Sequence, residues 1–193
     1  MSISHQQPGT TERGPALDRY SEVRQFTNHL CEPLETEDYV IQTMADISPA
    51  KWHLAHTSWF FETFILKQFA PGYRDFHPGY NYLFNSYYNS VGEKHCRPRR
   101  GLLSRPTVRE VYDYRAAIDV AMKQLLENTG EETFQKIRPL LELGINHEQQ
   151  HQELILTDIK NVFAANPLYP EYRPNAGLHE RNQEPAPLRW VSF

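Results

Sequence analysis

Apolar residues recur at helical spacing along most of the chain. Tyr20, Val23, Phe26 and Leu30 follow one another by three or four positions, and Pro33 lies just beyond, so the pattern predicts a helix over residues 16–30. The segment PAKWHLAHTSWFFETFILKQF is apolar nearly all round, the mark of a buried helix. With Ser48 as its N-cap and Pro49 at the first helical position, it should run to about Phe69, before Pro71-Gly72 stops it. Thr107 and Glu110 make a capping-box pair that opens a third helix, VREVYDYRAAIDVAMKQLLEN, ending at Gly130. A fourth is expected to start near Pro139, after a lead-in EETFQKI, and to reach about Ala165. There is no internal repeat and no alternating strand pattern. Four long helices with one long crossover predict an all-α, up-and-down four-helix bundle over residues 16–166.

Three stretches lack this period. Residues 1–15 (MSISHQQPGTTERGP) have no apolar h-region and read as a disordered polar arm, not a signal peptide. Residues 71–105, between the second and third helices, are rich in aromatics, Gly, Pro and Asn. A loop this long in a compact domain is functional or disordered, and the aromatics favour a loop packed over a site. Residues 167–193 carry five of the fourteen prolines and read as an extended linker. That linker ends in the apolar run Trp190-Val191-Ser192-Phe193, as the start of a further domain would.

Composition narrows the function classes. Lys plus Arg number 20 against 24 Asp plus Glu, so charge supplies no reason to expect nucleic acid or an anionic membrane as partner. No run of some 18 apolar residues is present, which excludes a spanning helix. Cys31 and Cys96 lie far apart in a chain without secretory features, which suggests free thiols and a cytoplasmic location. The nine histidines matter only where they cluster.

They cluster on the second and fourth helices. His147 and His151 are four residues apart and project from one face, and Leu140, Gly144 and Leu154 on the same stripe point that face inward. Two imidazoles so placed can chelate one metal ion. The second helix offers a third imidazole from either His53 or His56, and buried histidines are costly unless paired or coordinated. Periodicity leaves that choice open, since His56 shares a stripe with Trp52 and Trp59, and His53 with Thr57 and Phe60. Glu153 lies about 200° around the helix from His151 and about 240° from His147, so it suits a supporting role and not direct ligation. HEQQH also matches the zincin pattern, with Glu148 as general base. A zincin needs a third ligand further on and a sheet edge for its substrate. The downstream candidates are Glu171, in the proline-rich tail, and His179, and no strand pattern lies upstream, so that reading is set aside.

Three separated, ordered motifs carry a resemblance. SPAKWHLAHTSWFFETFIL, FNSYYNSVGEKHCRPRRGLLSRPTVREVYDYR, and INHEQQHQELILTDIKNVF followed by NPLYPEYRP resemble the ergothioneine-biosynthesis sulfoxide synthases. These are nonheme iron enzymes built from a DinB-like four-helix domain followed by a formylglycine-generating-enzyme-like domain. The likeness covers residues 16–193. It places the family's W-x-L-A-H motif on Trp52 to His56 and its H-x3-H-x-E motif on His147, His151 and Glu153. It therefore implies an Fe(2+) site of three neutral imidazoles, His56, His147 and His151.

Such enzymes join the sulfur of a cysteine-type thiol to C2 of trimethylhistidine (hercynine), using O2 and yielding a sulfoxide. By the same resemblance Gln150 lies near the imidazole substrate, and Arg97 and Arg100 hold the thiol's carboxylates, a task that suits guanidinium forks. Arg99 shares their loop, and the loop tyrosines Tyr80, Tyr82, Tyr87 and Tyr88 read as packing residues. The remaining contacts and a donor tyrosine are expected from a C-terminal domain of the same polypeptide, so residues 1–193 alone should bind iron without completing synthesis. Alternatives are an ovothiol-type relative acting on plain histidine, a selenium-donor relative, a stand-alone DinB-like thiol-dependent transferase with zinc or nickel in the triad, and a structural domain with unmetallated histidines.

Overall fold

The computed structural model describes residues 12–86 and 92–174. Among them are six helices and no strands: α1 (Arg13–Cys31), α2 (Ala50–Phe61), α3 (Lys67–Phe69), α4 (Tyr80–Phe84), α5 (Val108–Asn128) and α6 (Glu131–Ala165). A π-helical turn, Glu62–Leu66, joins α2 to α3, so these form one rod ending at Phe69 as the sequence predicts. Rod, α1, α5 and α6 are the four long members of an all-α bundle. The rod is central: α2 packs on both α5 and α6, and α1 on α6. All twelve residues of α2 are buried, which accounts for its apolar character all round.

Two helix starts differ from expectation. Ser48 is not the N-cap of α2; Pro49 is, with ψ 145°, and no side chain caps the helix. The Ser48 amide is instead bound by the Asp158 carboxylate, and its hydroxyl accepts from Arg100. The lead-in EETFQKI is not separate, since α6 already begins at Glu131 and Pro139 lies inside it. Pro139 forfeits one backbone hydrogen bond, but the buried Phe134, Ile137 and Leu141 on either side hold the helix together by burial. The start of α5 is as predicted, with Thr107 as N-cap and both arms of the Thr107–Glu110 capping box formed.

Where it is described, the crossover carries short helical segments within what the sequence reads as a packed loop. It contains α4 and a 3-10 turn, Arg97–Leu102. It is tied to the rod by Glu62, which accepts from the Tyr73 hydroxyl, the Phe76 amide and the Tyr114 hydroxyl. Tyr80 is buried against Phe84 and Tyr114, whereas Tyr82 is exposed. Tyr87 and Tyr88 lie outside the described residues, as do most of the expected N-terminal arm and C-terminal linker. Where the segment after α6 is described, the Tyr172 hydroxyl donates to the Leu30 carbonyl of α1.

Close approach of α6 to α2 depends on Gly144. A Cβ there would stand 2.5 Å from Phe61 Cε1 and 2.9 Å from Phe60 Cε1. One turn on, Glu148 is fully buried between Arg24 and Arg115, each of which donates to its carboxylate together with Thr27. Burial alone would raise the Glu148 pKa, but the Arg115 and Arg24 guanidiniums outweigh it and hold the carboxyl below its ordinary value. Both its oxygens are engaged inside the core, so Glu148 faces away from general-base chemistry.

Candidate metal centre

The buried line of α6 runs through Leu141, Gly144, Ile145, Glu148, His151, Gln152, Ile155 and Ile159. The inward stripe expected through Leu140 and Leu154 is thus its margin: Leu140 is half-buried and Leu154 is 36% exposed. His151 sits on the buried line and half-buried His147 on the margin, so the pair opens into a cavity of about 530 Å³. Across the cavity α2 presents His53 and His56.

His56, His147 and His151 each offer a ring nitrogen within 4.8 Å of the others. Their ring centroids form a nearly equilateral triangle, 4.9, 4.7 and 4.6 Å on a side. The His56 ring is fixed twice over. It is stacked between Trp52 and Trp59, with interplanar angles of 15° to each, and its Nδ1–H donates to the Phe84 carbonyl at 2.6 Å. A ring with hydrogen on Nδ1 carries its lone pair on Nε2, and His56 Nε2 stands 3.2 Å from His147 Nε2. His147 Nδ1 is buried and has no hydrogen-bond partner among the described residues.

Burial keeps these rings neutral. It lowers the His147 pKa to about 4. His56 and His151 are pushed down by burial first and then by the neighbouring imidazoles. Neutral imidazole is the ligating form. Three converging neutral rings, with no carboxylate in the group, suit a borderline divalent ion such as Fe(2+) or Zn(2+) better than Mg(2+) or Ca(2+). The donor set therefore fits a metal held by three nitrogens.

Other sequence-predicted residues are distributed unevenly about the cavity. Arg97, Arg100 and Gln150 line it; Arg99 does not. Arg100 is buried, donates to the Ser48 hydroxyl at 2.8 Å, and lies 3.3 Å above the Trp52 ring on the cavity wall. Arg97 is half-buried and donates to the Asp46 carbonyl. Gln150 is exposed at the mouth. Glu153 is not brought to the site: it is exposed, in a surface groove with Phe26 and Leu30. The supporting contact to His151 comes instead from His53, whose Nδ1 lies 2.8 Å from His151 Nδ1 and whose Nε2 lies 3.0 Å from Asp158. Sequence reasoning missed Asp158, whose one signal is a carboxylate seven residues after His151, two turns along the same helix.

Among the described residues no helix is long and apolar enough to cross a membrane. A search of curated proteins gave no match. Residues 19–155 match the DinB superfamily, a span that runs from α1 into α6 and takes in all three converging histidines. That match covers most of the chain and agrees with its all-helical bundle: the chain belongs to the DinB superfamily.

Proposed function

We propose that this chain is the iron(II)-binding domain of an O2-dependent sulfoxide synthase of the ergothioneine type. It would join a cysteine-type thiol, such as gamma-glutamylcysteine, to C2 of trimethylhistidine. The observation that carries this reading is the convergence of three neutral imidazoles inside a cavity that also holds Arg97, Arg100 and Gln150. The three motifs that resemble the sulfoxide synthases contain every one of those residues.

In balance, a thiol, an imidazole C2–H and O2 give the sulfoxide and water. One oxygen atom stays on sulfur, and the other leaves with the thiol and C2 hydrogens. An iron(II) ion held by His56, His147 and His151 would keep its full charge and open positions for thiolate and O2. The rest falls to the protein. Arg100, clamped by Trp52 and Ser48, presents a fixed positive charge to a thiol's carboxylate. Arg97 adds a second from the same turn, and Gln150 offers an amide at the mouth to an imidazole nitrogen. The indoles of Trp52 and Trp59 restrict water around His56. Contacts on the open side of the cavity are assigned to a further domain of the same polypeptide.

Anaerobic loading of the chain with ferrous iron should leave one equivalent bound after desalting, and no retained metal would sink the proposal. The full-length polypeptide supplied with thiol, trimethylhistidine and isotopically labelled O2 should then form a sulfoxide carrying one labelled oxygen.

A second reading, a thiol-dependent transferase with zinc or nickel in the same triad, needs only the superfamily fold and the three imidazoles. Thiol consumption that proceeds equally without O2 would select it.

A further inference from the structure

A hydrogen-bonded line of buried groups ends on one member of the triad. The Ser48 amide donates to Asp158 Oδ2 at 2.9 Å, and the same oxygen lies 3.0 Å from His53 Nε2. On its other edge His53 Nδ1 lies 2.8 Å from His151 Nδ1. Asp158, His53 and His151 are 7%, 3% and 7% exposed, so water cannot substitute for these partners.

The hydrogens follow from the partners. A carboxylate oxygen accepts, so the single hydrogen of neutral His53 resides on Nε2. His53 Nδ1 is then a lone pair. The short contact therefore needs a hydrogen on His151 Nδ1, which leaves the His151 lone pair on Nε2. The line also crosses between helices, from α6 at Asp158 to α2 at His53 and back to α6 at His151. Trp52 stands edge-on to His53, its centroid 5.7 Å away, and restrains the ring.

Resting on the metal reading above, we propose that His53 is a positioning residue of the metal centre: it relays the Asp158 carboxylate to His151 and fixes which nitrogen His151 offers to the ion. The triad is then supported unequally. His56 is anchored by the Phe84 carbonyl and His151 by the His53–Asp158 pair, while His147 Nδ1 has no anchor among the described residues. Partners of this kind orient the ring and raise its basicity, and their loss weakens metal affinity by about 10–100-fold.

Cobalt(II) is the probe. Its affinity is measured by chelator competition on the whole chain and its geometry by visible absorption, with thermal melting as the check on folding. His53→Phe keeps a buried ring but offers His151 no acceptor; His53→Asn places an amide oxygen near the position of Nδ1. The expected result is a 10–100-fold loss with an altered cobalt spectrum for His53→Phe, and recovery of most of the affinity in His53→Asn. Unchanged affinity and spectrum in His53→Phe overturn the proposal, and so does a His53→Asn chain no better than His53→Phe. Should His53→Phe not fold, Asp158→Ala carries the test: it frees His53 to switch tautomer, and wild-type affinity there overturns the relay. Failure of the wild-type chain to bind cobalt would instead remove the triad itself.

Discussion

The Nε2 atoms of His56 and His147 face one another across 3.2 Å, although they belong to different helices 91 residues apart. Two ligand nitrogens about 2.1 Å from one ion, at tetrahedral to octahedral angles, stand roughly 3.0–3.4 Å apart. The pair already has the spacing of one edge of a coordination polyhedron. His56→Ala, His147→Ala and His151→Ala are each expected to abolish tight iron binding. Metal content after anaerobic loading and desalting checks this, and full retention in any one variant removes that residue from the ligand set.

Arg100 is held with its guanidinium carbon over the Trp52 ring as well as by a hydrogen bond, a pairing that a lysine cannot reproduce. Losing one charge-assisted hydrogen bond costs about 1.5–3 kcal/mol, or roughly 10–150-fold in affinity. On the function proposed above, and in a polypeptide that carries both proposed domains, Arg100→Lys should raise KM for the thiol by about that factor with kcat little changed, and Arg97→Ala should do so more weakly. Steady-state kinetics at saturating O2 decide it, and an unchanged KM in both variants returns the arginines to a structural role.

Glu148 marks where sequence pattern and chemistry part. HEQQH presents it as a would-be base, yet its carboxylate joins Arg24 and Arg115, themselves 2% and 1% exposed in their side chains, inside the core. Breaking a buried ion pair from one side leaves unpaired charge and costs about 3–5 kcal/mol. Glu148→Gln should therefore lower stability by that order while iron content of the folded fraction is kept. Urea denaturation measures the first and metal analysis the second; wild-type stability with lost activity would restore the catalytic reading.

Much of the bundle was legible because its signals are local: the Thr107–Glu110 box, the all-apolar α2, and the four-residue interval from His147 to His151. What was not legible depends on pairing between helices. Ser48 looks like a cap until Asp158 and Arg100, 110 and 52 residues away, compete for it. His53 and His56 both face inward because every side of α2 is covered, so periodicity cannot rank them. Their different partners, Asp158 and the Phe84 carbonyl, appear only once α6 and the crossover are in place. Nothing in the local sequence marks Arg24 and Arg115 as buried; the fold does so by placing Glu148 between them.

Neutral buried imidazoles also set a pH dependence. Burial depresses the His147 pKa from 6.5 to about 4, with His56 and His151 shifted in the same direction. As pH falls below 6.5 the unfolded chain takes up protons on these rings and the folded chain does not, so stability of the metal-free protein should fall. For His147 the loss levels off near pH 4, where the folded ring also protonates. Urea midpoints of the metal-free protein across this interval test it, with His147→Gln expected to flatten part of the slope. A midpoint that holds or rises on acidification contradicts the prediction.

Gly144 sets the distance over which the triad must close. Phe60 and Phe61 are themselves confined, Phe61 edge-on to Tyr20 at 4.9 Å and Phe60 against His147 at 4.9 Å, so neither ring can yield freely to a new methyl group. Gly144→Ala would gain about 1 kcal/mol of helix propensity but lose roughly 1–3 kcal/mol to overpacking. The surplus strain should push α6 away from α2, and with it His147 from His56. We expect a lower melting temperature and weaker cobalt binding together. A chain that melts higher than wild type and binds cobalt equally well would mean that the close helix approach is not what brings the three imidazoles into register.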